Sequence, residues 1–126
     1  MTLQEAISNI DNLKPNQYTY PQKISWLSEL DGKLYNEIIA THEFNEDEEP
    51  IDWNPYSEQT DPSLELIVGE PYEKIYEYWL AAKIDYWNGE TVRYNNDMAM
   101  YNVAYQEYAN WYNKNHKHKK DNGFKL

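Results

Sequence analysis

Apolar residues recur every three or four positions over residues 3–13. This spacing places them on one face of a helix, so the pattern predicts a short first helix. Thr2 and Glu5 have the spacing of a capping box, which would begin that helix, and Pro15 would end it.

A second run of apolar positions at helical spacing predicts a longer helix over residues 21–42, with Pro21 in its first turn. Gly32 lies inside this pattern, where a glycine costs about 1 kcal/mol relative to alanine. A close approach of another helix would be a physical reason for this glycine.

Residues 43–61 break the pattern, since they contain eight acidic residues, two prolines and no lysine or arginine. Such a segment predicts an exposed acidic loop rather than a helix. Its aromatic residues, which include Trp53 and Tyr56, are too many for a simple linker. They either pin the loop onto the domain or contact a partner, and pinning is the commoner arrangement.

The C-terminal half of the chain predicts two long, aromatic-rich helices. Pro71 would stand in the first turn of a helix over residues 71–88, which Asn88 and Gly89 would end. A fourth helix would follow over residues 91–114. The expected fold is therefore an all-α bundle of about four helices with an acidic loop.

The fourth predicted helix carries a stripe of large side chains at alternating intervals of four and three. Each turn of the helix would then present one of them on the same face. Tyrosine rings bury apolar area, but their hydroxyls need a hydrogen-bond partner or water, which suits a partly wet interface. The stripe consists of Tyr94, Met98, Tyr101, Tyr105, Tyr108 and Tyr112.

We expect this stripe to be part core and part contact surface, with the contact end towards Tyr112. Trp79, Trp87 and Met98 are expected inside the domain, and Tyr101 is counted both there and among the contact residues. The candidate interface residues are Tyr94, Tyr101, Tyr105, Tyr108, Trp111 and Tyr112, with Trp53 and Tyr56 of the acidic loop.

Length and composition fit a single domain, because 126 residues with 40% apolar content can bury one core. The net charge of −11 is unevenly distributed. Residues 1–113 contain 21 of the 22 acidic residues, whereas residues 114–126 contain five of the 11 basic ones. We expect an acidic helical domain over residues 1–113, which would repel nucleic-acid phosphates, and a basic, flexible tail over residues 114–126.

Several classes of protein are disfavoured by what the sequence lacks. Without cysteine, disulfides and thiolate metal sites are excluded. No apolar run approaches the roughly 20 residues of a membrane span, and the first residues lack the features of a signal peptide. These features favour a soluble intracellular protein with no membrane partner.

The sequence predicts no enzyme chemistry, since it has neither a phosphate-binding glycine loop nor a nucleophile-elbow motif. His42 and Glu43 are adjacent and would not face each other on a helix. His116 and His118 would bind a metal only weakly from an unstructured tail. Asp85 fits a solvated acidic helix face. We therefore expect no catalytic residue, no cofactor and no metal site.

Two stretches of the chain resemble a known protein family. The first comprises LKPNQY over residues 13–18 and ISWLSELDG over residues 24–32. The second comprises KIDYWNGE over residues 83–90 and RYNNDMAMYN over residues 93–102. Together they are similar to small prophage structural proteins of Gram-positive bacteria, the head–tail connectors or head-completion adaptors. The resemblance covers residues 1–113.

The resemblance implies a small α-helical protein that forms a homo-oligomeric ring, docks beneath the portal protein and extends the channel towards the tail. Its partners would be further copies, the portal and other head–tail joining proteins, with DNA only as cargo. It would act in the host bacterial cytoplasm and then at the head–tail junction of the virion.

The acidic charge leaves an alternative open. A small acidic phage protein could mimic DNA and occupy the basic groove of a host or phage enzyme, as a monomer or a dimer.

Overall fold

The computed structural model of the chain describes residues 1–119. It consists of four α-helices and one 3₁₀ turn, and within these residues β pairing is limited to two isolated bridges. No helix in this part of the chain is both long enough and apolar enough to span a membrane. The predicted all-α bundle is confirmed. The elements are α1 (Leu3–Leu13), α2 (Tyr20–Glu37), the 3₁₀ turn (Ile39–Thr41), α3 (Lys74–Trp87) and α4 (Thr91–Asn115).

The two N-terminal helices begin with reciprocal capping boxes. The Thr2 hydroxyl accepts the Glu5 amide over 3.1 Å, and the Glu5 carboxylate accepts the Thr2 amide over 2.8 Å. Thr19 and Gln22 repeat the arrangement at the start of α2. The bounds of α1 match the prediction from the sequence.

The second helix is shorter than predicted, because it ends at Glu37 and the chain tightens into the 3₁₀ turn. Side chains form hydrogen bonds to backbone carbonyl groups that would accept backbone amides in a longer helix. Thr41 donates its hydroxyl to the Ile38 carbonyl over 2.8 Å, and a ring nitrogen of His42 lies 2.6 Å from the same oxygen. These local hydrogen bonds compete with the helical pattern.

The third helix is the centre of the bundle. It packs against α1, α2 and α4, whereas α4 packs against α3 alone among the helices. The most deeply buried large side chains come from all four helices and from the 3₁₀ turn. They include Leu3, Ile10, Leu27, Leu34, Ile39, Ile75, Tyr76, Leu80 and Tyr101.

Gly32 makes room for an aromatic ring of the acidic loop. A Cβ atom at this position would lie 2.7 Å from the Trp53 ring. A close approach at Gly32 is therefore present, but the neighbour is a loop side chain rather than another helix. The loop side chain occupies the space that the missing Cβ leaves.

The third helix begins at Lys74, three positions after the predicted start. A turn precedes it, in which the Tyr72 amide donates to the Gly69 carbonyl over 2.9 Å. The helix ends as predicted before Asn88 and Gly89, and Gly89 has a φ of 73°, which favours glycine.

Residues 116–119, which follow α4, are paired with the rest of the fold, so the ordered part of the chain extends past the predicted boundary at residue 113. The last helix continues to Asn115, and residues 116–119, which we call the C-terminal strap, pair with the segment after the 3₁₀ turn. The Glu43 amide donates to the Lys117 carbonyl over 2.7 Å, and the Lys119 amide donates to the Thr41 carbonyl over 2.9 Å. The predicted flexibility of residues 120–126 lies outside the described residues.

Candidate functional site

The predicted tyrosine stripe of α4 faces the core. Tyr101, Tyr108 and Tyr112 are at most 3% exposed, because α4 lies along α3 with this face inward. The Tyr101 ring lies 4.9 Å from that of Trp79, and the Tyr108 ring lies 6.0 Å from that of Tyr72. The prediction that Tyr101, Tyr108 and Tyr112 contact a partner is therefore wrong, since the chain itself covers them.

The hydroxyl groups of the stripe show why this prediction failed. Those of Tyr101 and Tyr112 are buried and have no hydrogen-bond partner among residues 1–119. Burial raises the pKa of each to about 12. Tyr105 lies at the edge of the stripe and donates its hydroxyl to Glu37. The fold thus buries unpaired hydroxyls. Burial of the apolar area of the rings stabilises the fold by more than the unpaired hydroxyls cost.

Trp53 and Tyr56, the candidate contact residues of the acidic loop, fasten that loop to α2. Trp53 stacks on Tyr35 with 6.4 Å between the ring centroids, and Tyr56 donates its hydroxyl to Asp31 over 2.6 Å. Both side chains are half-buried. These two residues therefore pin the acidic loop onto the domain, which is the commoner of the two arrangements expected from the sequence.

Asp31 is a buried carboxylate at the point where α2, α3 and the acidic loop meet. Its oxygens accept the hydroxyls of Tyr76 and Tyr56 over 2.7 and 2.6 Å and the Ile67 amide over 3.2 Å. Burial raises the pKa of Asp31, although these three donors favour the charged form. The signal for this cluster in the sequence is a polar residue at an apolar position of the α2 pattern.

Two large aromatic side chains are exposed at the end of the α3–α4 hairpin. Trp87 is 62% and Tyr86 is 57% exposed, so the prediction that Trp87 lies inside the domain is wrong. Trp87 is the last residue of α3, and the chain turns away directly after it. We call this end the hairpin-end surface, which comprises Tyr86, Trp87, Val92, Tyr94 and Met98.

Aromatic contacts give the hairpin-end surface its shape. The Tyr86 ring lies 5.3 Å from the Trp87 ring and 5.4 Å from the Tyr94 ring. A cavity of about 260 Å³ opens between these rings, Met98 and Trp79. Lys83 also lines this cavity, but most of the lining side chains are aromatic or apolar. A concave site of this kind suits an anchoring side chain of a partner.

The other candidate contact residues do not gather in one place. Tyr94 is half-buried within the hairpin-end surface, and Tyr105 is half-buried beside Glu37. Trp111 is 40% exposed, with its ring 5.6 Å from that of Tyr72. From Tyr94 to Trp111 these residues span about 26 Å along the helix. They are therefore not one contact patch.

A pair of carboxyl groups lies beneath the hairpin-end surface. Lys14, which caps the end of α1, contacts the two Asp85 oxygens at 2.9 and 2.8 Å. Burial and the neighbouring Asp85 carboxylate raise the pKa of Asp97 to about 7. Burial also acts to raise the pKa of Asp85, but hydrogen bonds from Asp97 and Lys14 outweigh it and the net shift is downward. Asp97 therefore keeps its proton at mildly acidic pH and releases it around neutral pH.

The two stretches that carry the family resemblance meet at this end of the molecule. Lys14 of the first stretch pairs with Asp85 of the second. Tyr18 donates its hydroxyl to the Asn88 side-chain carbonyl over 2.6 Å, and its ring packs 5.5 Å from that of Trp26. Residues that are distant in the sequence thus support the hairpin-end surface together.

Histidine side chains hold the C-terminal end of α4 and the C-terminal strap. The two ring nitrogens of His42 lie 2.6 Å from the Ile38 carbonyl and 2.6 Å from the Asn113 side-chain oxygen. The His116 ring lies 2.7 Å from a Glu48 carboxylate oxygen, and its other nitrogen faces a backbone carbonyl. Both nitrogens of each ring are engaged by the protein, so the role of these histidines is structural.

Within residues 1–119, no three histidine, aspartate or glutamate side chains are grouped so as to hold a metal ion. Comparisons of the chain with protein-family models, curated proteins and solved structures find no match. The family resemblance of the two stretches therefore stays a prediction from the sequence.

Proposed function

We propose that this chain is a non-catalytic head–tail adaptor of a phage or prophage, which binds further copies and the portal protein through its hairpin-end surface. The observation that carries the proposal is the exposure of Trp87 and Tyr86 beside a mainly aromatic cavity. Tryptophan and tyrosine are enriched among the residues that dominate binding energy at interfaces. Their exposure at one place favours a contact surface.

The family resemblance supports the proposal, because its second stretch contains the residues of this surface. Tyr86 and Trp87 lie in KIDYWNGE, whereas Tyr94 and Met98 lie in RYNNDMAMYN. The first stretch contributes Lys14, which holds the end of α3 through its ion pair. The resemblance and the exposed aromatic side chains thus coincide.

The charge of the chain also supports an adaptor. Residues 1–113 carry nearly all the acidic side chains, and most of those in the acidic loop are exposed. Carboxylates that line a channel repel DNA phosphates, so DNA would pass without binding.

The test of the proposal is assembly with the portal protein encoded by the same phage genome. We expect negative-stain images of the mixture to show rings that cap the portal, and light scattering to show a matching increase in mass. The chain alone would stay small before docking. A mixture that shows only the two separate proteins would overturn the proposal.

A double substitution, Tyr86→Ala with Trp87→Ala, tests the surface itself. We expect it to weaken portal binding at least about tenfold, because truncation of an anchoring aromatic side chain typically costs 2 kcal/mol or more. The circular dichroism spectrum should not change, since both side chains are exposed. Leu64→Ala is the control, because it removes an exposed apolar side chain from a distant loop. Equal losses in both variants would show that another surface binds the portal.

A second candidate function, the acidic DNA mimic, is favoured by the way the acidic loop is held. Trp53, Tyr56 and Glu48 fasten the loop to the fold, so its exposed carboxylates keep fixed positions. We expect four lysine substitutions to abolish any competition with DNA for basic host proteins. Unchanged competition would eliminate the mimic. The positions are Glu46, Asp47, Glu49 and Asp52.

A further inference from the structure

The exposed face of α4 lacks the acidic character of the rest of the chain. The 25 residues of this helix include two basic and two acidic side chains, in a chain whose net charge is −11. Low charge together with exposed methionine and aromatic side chains is typical of the central part of a protein interface. The exposed apolar side chains are Val92, Met100, Val103 and Trp111.

This face has no partner within residues 1–119, because α4 packs against α3 alone among the helices. Met100 is 48% exposed and Val103 is 56% exposed. Beside them lies a groove of about 240 Å³, whose other wall includes Tyr72 and Tyr78. Lys74 and Glu107 also line the groove, so it offers space for a side chain of a second molecule that has both apolar and polar groups.

The charged residues on this face are arranged symmetrically about Met100. Arg93 precedes Met100 by seven positions and Glu107 follows it by seven, so all three lie on nearly one line along the helix. All three are exposed. Among residues 1–119, neither Arg93 nor Glu107 forms an ion pair. The two charges lie about 21 Å apart along the axis.

We propose that this face binds the same face of a second copy of the chain, with the two α4 helices antiparallel and a two-fold axis at Met100. In this arrangement Arg93 of each copy faces Glu107 of the other, which forms two equivalent ion pairs. A parallel arrangement would place like charges opposite each other and is disfavoured. The acidic loop, whose carboxylates are mostly exposed, instead repels a second copy.

Apolar contacts and ion pairs have different parts in this dimer. Burial of Met100 and Val103 supplies the affinity, whereas exposed ion pairs contribute little and select the antiparallel direction. One helix face is smaller than the roughly 800 Å² that each partner contributes to a standard interface. We therefore expect a weak dimer, with a dissociation constant in the micromolar to millimolar range.

The dimer is independent of the proposed adaptor function, since it is centred on Met100 and is measured on the chain alone. A chain that dimerises but does not bind the portal would overturn the function and leave the dimer in place. A chain that binds the portal but does not dimerise would overturn the dimer alone.

Sedimentation equilibrium of the full chain at low salt tests the dimer over micromolar to millimolar concentrations. We expect Met100→Glu to abolish association, because it buries two carboxylates at the two-fold axis. Glu107→Arg should raise the dissociation constant about tenfold, because it places arginine opposite arginine. The swap Arg93→Glu with Glu107→Arg keeps the net charge and should restore the affinity.

Glu58→Arg is the matched control, since it makes the same change in net charge on the exposed loop and should leave association unchanged. Circular dichroism checks that each variant is folded. Three results would each overturn the proposal. They are a native chain that stays monomeric throughout, a dimer that Met100→Glu leaves intact, and a charge swap that fails to recover the affinity lost in Glu107→Arg.

Discussion

The hydroxyl of Tyr76 donates to the Asp31 carboxylate over 2.7 Å and accepts the Val68 amide over 2.8 Å, in a part of the core from which solvent is excluded. Tyr76→Phe would leave both partners without this bond. Because an unsatisfied buried polar group costs about 1–3 kcal/mol, we expect the free energy of unfolding to fall by that amount. Urea titration measures it. Tyr78→Phe on the same helix is the control, and an equal loss there would contradict the assignment.

Removal of the buried hydroxyls of Tyr101 and Tyr112 should not destabilise the chain, in contrast to Tyr76→Phe. Neither has a hydrogen-bond partner among residues 1–119, so phenylalanine removes a polar group that is already unpaired. We expect Tyr101→Phe and Tyr112→Phe to leave the free energy of unfolding unchanged or to raise it by up to about 1 kcal/mol. Thermal and urea unfolding provide the measurement. A clear loss of stability would mean that the hydroxyl has a partner after all.

The contact between Gly32 and Trp53 predicts a non-additive pair of substitutions. In the native chain, the Cβ of Gly32→Ala would displace the Trp53 ring, so the gain in helix propensity is lost. After Trp53→Ala, the same substitution should stabilise the chain by about 1 kcal/mol. A double-mutant cycle from urea titrations should therefore give a coupling energy of about 1 kcal/mol or more. Additive effects would show that the ring does not occupy this space.

Asp97 should make the chain less stable as the pH rises from acid to neutral. Its pKa of about 7 lies above the ordinary value of 3.8, so between these values the folded chain keeps a proton that the unfolded chain has released. The free energy of unfolding falls across this interval. Asp97→Asn imitates the protonated form and should add about 1–2 kcal/mol at pH 8, after discounting for partial exposure, and almost nothing at pH 4. Asp47→Asn on the exposed loop should show no such difference.

The C-terminal strap should open first in acid. Burial acts to raise the pKa of Glu48, but the hydrogen bonds from His116 and from the Asn45 amide, with the attraction of His116, together outweigh it and the pKa is lowered. The stability from this contact is therefore present above the ordinary carboxylate range and is lost as the pH falls through the lowered value. We expect the Glu43 and Lys119 amides to lose protection from hydrogen exchange in acid, while core amides keep it. Glu48→Gln should already lack this protection at neutral pH.

Local signals in the sequence predicted the helices well, because each depends on residues that are neighbours in the chain. The capping box of Thr2 and Glu5 determines where α1 begins, and Gly89 marks the turn after α3. The end of α2 was missed because Thr41 and His42 bond to the Ile38 carbonyl, a competition that apolar spacing does not reveal.

The contacts between distant segments were much harder to predict. The spacing of the tyrosine stripe shows which residues share a face of α4, but it does not show whether the same chain or a second molecule covers them. The cluster at Asp31 likewise joins residues 45 positions apart. Trp87 was expected in the core, whereas its position at the last residue of α3 leaves it exposed.

The pairing of Lys119 with Thr41 has a practical consequence for labelling. The strap holds Lys119 beside the C-terminal end of α4, whereas the hairpin-end surface lies beside its N-terminal end. With 25 residues in α4, these ends are about 36 Å apart. A fluorophore attached at position 119 therefore sits near the opposite end of α4 from Trp87. Energy transfer to a dye on a bound partner would then show which end of the molecule the partner occupies.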